Sequence, residues 1–181
     1  MNSIRQQKRE CTDKVKINQF LDNARTGFLG LSQHEEPYVI PLNFIWHNGH
    51  IYFHGASEGR KEAMMSNNSN VCFTVSEEYG TITDPVPANI DTAYMCVLIS
   101  GKAEKVLDLA EKVNVMQAMI DKYVPGYFKQ PLSKTHVDKY RSSLGSETTV
   151  YKVVPSSLSA KENPWQLDKM FFKGKEIKDD L

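Results

Sequence analysis

Between Pro37 and Lys61 the chain reads PYVIPLNFIWHNGHIYFHGASEGRK, and Asn48-Gly49 at its centre is the clearest local signal in the 181 residues. Asn-Gly between two apolar runs is the signature of a two-residue type I′ hairpin, because both central residues need positive φ. Such a turn sets the register of its strands. It pairs Trp46 with Ile51, Ile45 with Tyr52, Phe44 with Phe53 and Asn43 with His54. Leu42, Phe44, Trp46, Ile51 and Phe53 then share one apolar face, which is a core face. The opposite face sets Asn43 beside His54. Two readings fit that polar pair. It is the wet side of a half-exposed antiparallel sheet, or the wall of a ligand pocket with a few fixed polar groups.

After His54, the small residues Gly55-Ala56-Ser57 break the strand, and Ser57 is placed to cap a short helix that carries Arg60 and Lys61 and runs to about Asn67. Small residues let a ligand approach the backbone. A helix N-terminus offers free N–H groups to an anion, and an adjacent Arg-Lys pair suits phosphate oxygens. The stretch is neither G-x-x-x-x-G-K-[ST] nor G-x-G-x-x-G, and a solvated surface turn is the competing reading.

Working outward, a helix is expected from a Thr12 cap, with Val15, Ile17, Phe20, Leu21 and Ala24 at helical spacing. Strands are expected at Phe28–Ser32, Tyr38–Trp46, Ile51–His54, Val71–Val75, Tyr94–Val106 and Thr148–Val154, the last closed by Pro155. Residues 76–93 lack periodicity and read as a long lid or binding loop. Asp108 caps a helix with Leu109, Val113, Met116, Ile120 and Tyr123 on one stripe, and a short helix is expected at Ser133–Tyr140. Six strands without regular helix alternation argue for a mainly β fold with peripheral helices, a small antiparallel barrel. The length suits a single domain over 1–181, with a core of about 12–154 and a polar, irregular extension over 155–181.

Lys and Arg number 22, as do Asp and Glu, so no nucleic-acid partner is expected. Cys11, Cys72 and Cys96 form no C-x-x-C pair, which argues against a disulfide framework or metal site. Cys72 and Cys96 read as small core residues. The polar N-terminus and the lack of a long apolar run point to a cytoplasmic chain with no membrane partner. His34, His47, His50 and His136 join no recognisable constellation.

The stretch from Gly27 to Val106 resembles the FMN-binding split-barrel superfamily of pyridoxamine 5′-phosphate oxidases, and within it the 5-nitroimidazole-resistance, nitroreductase-like flavoproteins. The resemblance is carried by Gly27-Phe28-Leu29-Gly30-Leu31, by Pro37 to Phe44, by Asn48 to Ala56 and by Glu58-Gly59-Arg60-Lys61. Asn70-Val71-Cys72-Phe73, Ser100-Gly101-Lys102-Ala103 and Val150 to Val154 add to it. It implies a six-stranded split barrel and a homodimer with FMN at the interface. Arg60 and Lys61 match the pair that grips the FMN phosphate. Pro41, Leu42 and Asn43 match the strand beside the flavin, with Phe53 and His54 opposite, and His54 becomes the candidate catalytic residue. Cys96 stands where the oxidase itself has a glutamine, and its C-terminal Trp and Arg have no clear match, which speaks against pyridoxamine phosphate oxidation. The resemblance thus implies reduction of a small substrate, nitroaromatics included, with a nicotinamide donor compatible. A non-catalytic flavin-binding protein, or a split barrel holding another ligand such as heme, are the alternatives.

Overall fold

In the computed structural model, residues 4–141 and 145–181 are described. The Asn48-Gly49 turn forms as expected, with φ of 50° and 76°. It joins β3 (Ile45–His47) to β4 (His50–Ala56), with Trp46 opposite Ile51 and Ile45 opposite Tyr52. The ladder stops there. The run expected as one strand from Tyr38 to Trp46 is divided at Phe44 into β2 (Glu36–Asn43) and β3. β2 turns away to pair with β1 (Thr26–Gln33), so Asn43 lies opposite Thr26 and not opposite His54.

That division makes the barrel. The described strands form one seven-stranded sheet in the order β2-β1-β5-β6-β7-β4-β3. Its two outermost strands are consecutive in the chain and joined by Phe44 alone, so the sheet must roll until its edges meet. The result is an antiparallel split barrel, with seven strands because the seam cuts one expected strand in two. Phe44 is fully buried at this seam, edge-on to Phe73 at 5.1 Å. The Tyr123 hydroxyl accepts the Phe44 N–H at 2.8 Å and donates to the Arg25 carbonyl at 2.5 Å. It thereby satisfies backbone groups that the broken ladder would orphan.

β5 (Asn70–Ile82) is much longer than expected and β6 (Asp91–Lys105) starts earlier, at Asp91, so most of the supposed loop over 76–93 is strand. A register shift between Glu78 and Gly80 changes the alternation there, which hides the period of two from a sequence reading. β7 (Thr148–Asn163) likewise runs through Pro155. Pro155 lacks an N–H to donate, but it lies beyond the last β4 pairing and beside the bulge at Ser100/Gly101. At Gly101 a Cβ would stand 2.3 Å from the Val154 carbonyl oxygen, so only glycine admits the crossing. The residues expected as an irregular extension are therefore strand up to Asn163.

Helix α1 (Lys14–Asn23) is capped by Asp13, not Thr12, whose carboxylate accepts the Val15 N–H at 2.9 Å. Its Ile17, Phe20 and Leu21 close the main core of Leu29, Ile51, Phe53, Phe73, Val97, Ile99 and Val153. Helix α3 (Leu109–Tyr123) is capped by Asp108 as expected, but buries Val115, Met116 and Met119. These pack with Ile45, Tyr52 and Val150 in a second core, so the outer face of the hairpin is covered by a helix. Cys72 and Cys96, expected in the core, lie half-buried on the outer sheet face. No helix among the described residues is long and apolar enough to cross a membrane.

Candidate functional site

α2 (Arg60–Asn67) begins at Arg60 with Gly59 at its N-cap. Ser57 does not cap it, and no side chain occupies the cap, so its first-turn N–H groups keep no side-chain acceptor. Arg60 and Lys61 then diverge. Arg60 leaves the site, lies 4.3 Å over the Tyr38 ring and pairs with Glu36, both exposed. Such a pair contributes about 0–1 kcal/mol and exchanges readily for another anion. Lys61 folds inward. Its Nζ lies 5.5 Å from the ring centres of both Phe53 and Tyr151, which stack 5.2 Å apart. It occupies the space a side chain on Gly55 would fill, since a Cβ there would meet Nζ at 2.0 Å. Burial lowers its pKa, partly opposed by Glu62. No ion pair of Lys61 exists among the described residues. A desolvated ammonium without an ion-pair partner, at a helix start without a side-chain cap, has the chemistry to hold an anion.

The next residue anchors this turn. Glu62 is only 8% exposed. It accepts from Ser66 Oγ at 2.9 Å and from the Tyr151 hydroxyl, and pairs with Lys105. Burial pushes its carboxyl upward, but the bonds from Lys105, Tyr151 and Ser66 outweigh it and hold the pKa below the ordinary value. Because Tyr151 also stacks under Lys61, α2 is tied to the barrel wall from below. A charged residue directly after Arg-Lys reads as surface in sequence, and no sequence signal marks Glu62 as buried.

Asn43 and His54 are not cross-strand partners, yet they meet at one cavity of about 340 Å³. His54 is fixed by β4, opposite Val150 of β7. Its Nδ1 lies 3.4 Å from Met119 Sδ. His54 is exposed, and its ring opens onto the cavity. Desolvation by the surrounding protein, and then the Lys61 charge, lower its pKa. Met116, Met119, Ile120 and Tyr123 of α3 form one wall, and Phe128, Leu132, His136 and Tyr140 line the side around α4 (Lys134–Asp138). This apolar roof was not foreseen, because residues about sixty positions and more from the hairpin build it.

The remaining expected site residues lie apart from the cavity. Pro41 is exposed opposite Phe28, and Leu42 packs against the main core opposite Gly27. Phe53 is 0% exposed and supports Lys61 from beneath. Cys96 lies on the outer sheet face between Ser76 and Lys161, its thiol pushed up by burial. On that same face one row crosses five strands: Pro41, Phe28, Thr74, Leu98 and Ser159. Phe28 and Leu98 are 42% and 41% exposed there. No group of three metal-ligating side chains exists among the described residues.

Residues 13–162 match the family model described as pyridoxamine 5′-phosphate oxidase. A search of curated proteins gives no match. Among solved structures, the chain is similar to a proposed 5-nitroimidazole antibiotic resistance protein from Bacteroides thetaiotaomicron. The identity is 26% and the TM-score 0.65, covering 84% of this chain and 85% of that one. It is also similar to the flavocytochrome Anf3 from Azotobacter vinelandii, with 22% identity, a TM-score of 0.75, and 91% and 73% coverage. An FAD- and heme-binding protein from Mycobacterium smegmatis gives 15% identity, a TM-score of 0.69, and 88% and 77% coverage. The last two likenesses carry the fold alone.

Proposed function

The chain belongs to the pyridoxamine 5′-phosphate oxidase family, and on that premise we propose that it is an FMN-dependent oxidoreductase of the 5-nitroimidazole-resistance type, working as a homodimer on a small substrate. The observation that carries the reading is Lys61: an unpaired, inward-turned ammonium at an uncapped helix start, one short turn from a cavity holding Asn43 and His54. Lys61 and the first-turn N–H groups of α2 would hold the FMN phosphate, joined by Arg60 once it releases Glu36. Asn43, with Pro41 and Leu42 supplying backbone, would hydrogen-bond the ring system. A flavin bound there supplies the electron transfer. His54 has Nδ1 turned to the Met119 thioether, which can only accept, so Nδ1 carries the proton of the neutral ring and Nε2 is left as an acceptor; Nε2 would deliver a proton to a reduced substrate only after taking one up from solvent. A nicotinamide donor is compatible with this arrangement.

The dimer belongs to the same proposal. The outer sheet face combines exposed Phe28, Leu98 and Val39 with small Gly30, Cys72, Thr74 and Ser100. A flat sheet face with apolar side chains between small ones suits a second copy. Cys96 and Pro41 lie on or beside this face, so a role for them in flavin binding would run through the partner.

A heme-binding reading is favoured by one observation: two histidines, His54 and His136, line one apolar cavity, and neutral imidazole is a heme-iron ligand. Anaerobic mixing separates the readings. The protein is loaded with FMN, reduced with a nicotinamide donor, and then given a nitroaromatic acceptor. Reduction and reoxidation in step with acceptor loss support the enzyme. A bound flavin that the acceptor never reoxidises makes the protein a carrier, and hemin uptake without FMN uptake makes it a heme protein.

A further inference from the structure

We propose that Lys122 is a reactive amine in a second pocket, between the end of α1 and the last turn of α3, where it captures small aldehydes as imines. Lys122 stands on the stripe of α3 that buries Val115 and Met119, a position where helical spacing calls for an apolar side chain. Its stem therefore lies along apolar surface, and Nζ comes 4.2 Å from the centre of the Phe44 ring. Nζ donates to the Leu21 carbonyl of α1 at 3.2 Å. It has no ion pair among the described residues. Lys122 lines a solvent-open pocket of about 430 Å³ together with Asn23, Arg25, Trp46, His47 and Ala118. None of these residues lines the cavity of Asn43 and His54, so this is a different site.

The surroundings hold this amine in a nucleophilic state. Burial lowers its pKa from 10.5 to about 8; Asp22 and Glu77 oppose that shift, and the Arg25 charge adds to it. His47 completes the titratable lining. At pH 8 about half of Nζ is then neutral, against roughly one part in 250 for an exposed lysine. A neutral amine, desolvated and beside another cation, is the form that attacks a carbonyl. One N–H holds the Leu21 carbonyl, which leaves the nitrogen lone pair free. That pair forms the C–N bond with the aldehyde carbon, while the carbonyl π pair takes up a proton from solvent and the nitrogen gives one up. Loss of the new hydroxyl as water leaves the C=N bond, so the step needs no oxidant or reductant. Nζ lies against the Phe44 ring and the α1 backbone, which calls for an unhindered carbonyl and favours an aldehyde over a branched ketone.

The test is labelling of the full-length protein, with and without FMN, by propanal and cyanoborohydride, which reduces the imine to a stable propylamine. Peptide mass spectrometry then reads the rate at each lysine. At pH 8, Lys122 should label at least about tenfold faster than the exposed Lys14, Lys129 and Lys173. The advantage should shrink toward pH 10, where exposed lysines lose their protons as well. Asn23→Trp, at the exposed end of α1, fills the mouth of the pocket and should erase the advantage, about a tenfold loss, while the exposed lysines label as before. FMN should leave the Lys122 rate unchanged. Equal rates at Lys122 and the exposed lysines, an Asn23→Trp variant that labels as the wild type does, or protection of Lys122 by FMN overturns the proposal. Selective labelling of Lys122 in a protein that binds no FMN keeps this site and removes the flavin reading.

Discussion

Replacing Lys61 by Met separates two effects that one ammonium exerts. In the folded chain Nζ is desolvated, unpaired and held over the Phe53 and Tyr151 rings. Met fills similar space without a charge, so the ligand-free fold should lose little stability. A hydrogen bond from a charged donor to a phosphate is worth about 1.5–3 kcal/mol, which is roughly 10- to 150-fold in affinity at 1.4 kcal/mol per tenfold. FMN binding, followed by flavin fluorescence quenching, should weaken by that factor, and riboflavin binding should not change. The second effect concerns His54, whose pKa is lowered by burial and then by the Lys61 charge. Removing the charge relieves only the second cause, so the His54 pKa should rise and still stay below 6.5. Proton NMR of the imidazole across a pH series reads it directly. An unchanged FMN-to-riboflavin affinity ratio refutes the phosphate assignment, and an unmoved His54 pKa refutes the geometry that places Lys61 beside it.

Other outcomes follow from the same contacts. Tyr123→Phe removes the acceptor of the Phe44 N–H; an unsatisfied buried group costs about 1–3 kcal/mol, so Tm should fall and the Phe44 amide should exchange faster with deuterium. An unaltered Phe44 exchange rate would show that the seam does not depend on this hydroxyl. Tyr151→Phe deprives buried Glu62 of a donor and should cost a similar amount, about 1.5–3 kcal/mol. It should also shift acid unfolding. The folded pKa of Glu62 is depressed below 4.5, so its stabilising share is present above that value and lost as pH falls through the folded pKa. The variant's stability should therefore fall off less steeply in that range. Leu98→Arg places a charge in the middle of the outer sheet face and should convert a dimer into a monomer by light scattering. A dimer that persists moves the interface elsewhere.

The hairpin and the start of α2 could be read from sequence because their physics is local. Asn48-Gly49 needs only its own φ angles, and Gly55 to Lys61 announces a strand end and a helix start within seven residues. What escaped was set by distant partners. Pro155 reads as a stop because it lacks an N–H, yet β7 passes it where only β6 pairs and where Gly101 bulges. Residues 76–82 hide a strand because the shift at Glu78/Gly80 changes the alternation, and pairing with the C-terminal segment, from the Phe171 N–H to the Thr81 carbonyl, completes that end. Asn43 and His54 were rightly drawn together but by the wrong means: the cavity unites them, not the ladder. Its roof comes from 116–140, and Glu62 becomes a buried anchor only because Tyr151 and Lys105 reach it.

The most direct test of the central claim is a titration of the purified wild-type protein with FMN, riboflavin and hemin, followed by visible absorbance and flavin fluorescence. One FMN per chain, bound at least about tenfold more tightly than riboflavin as a charge-assisted phosphate contact requires, is the result predicted. No FMN binding, or a Soret band with hemin where FMN leaves the spectrum unaltered, would contradict it.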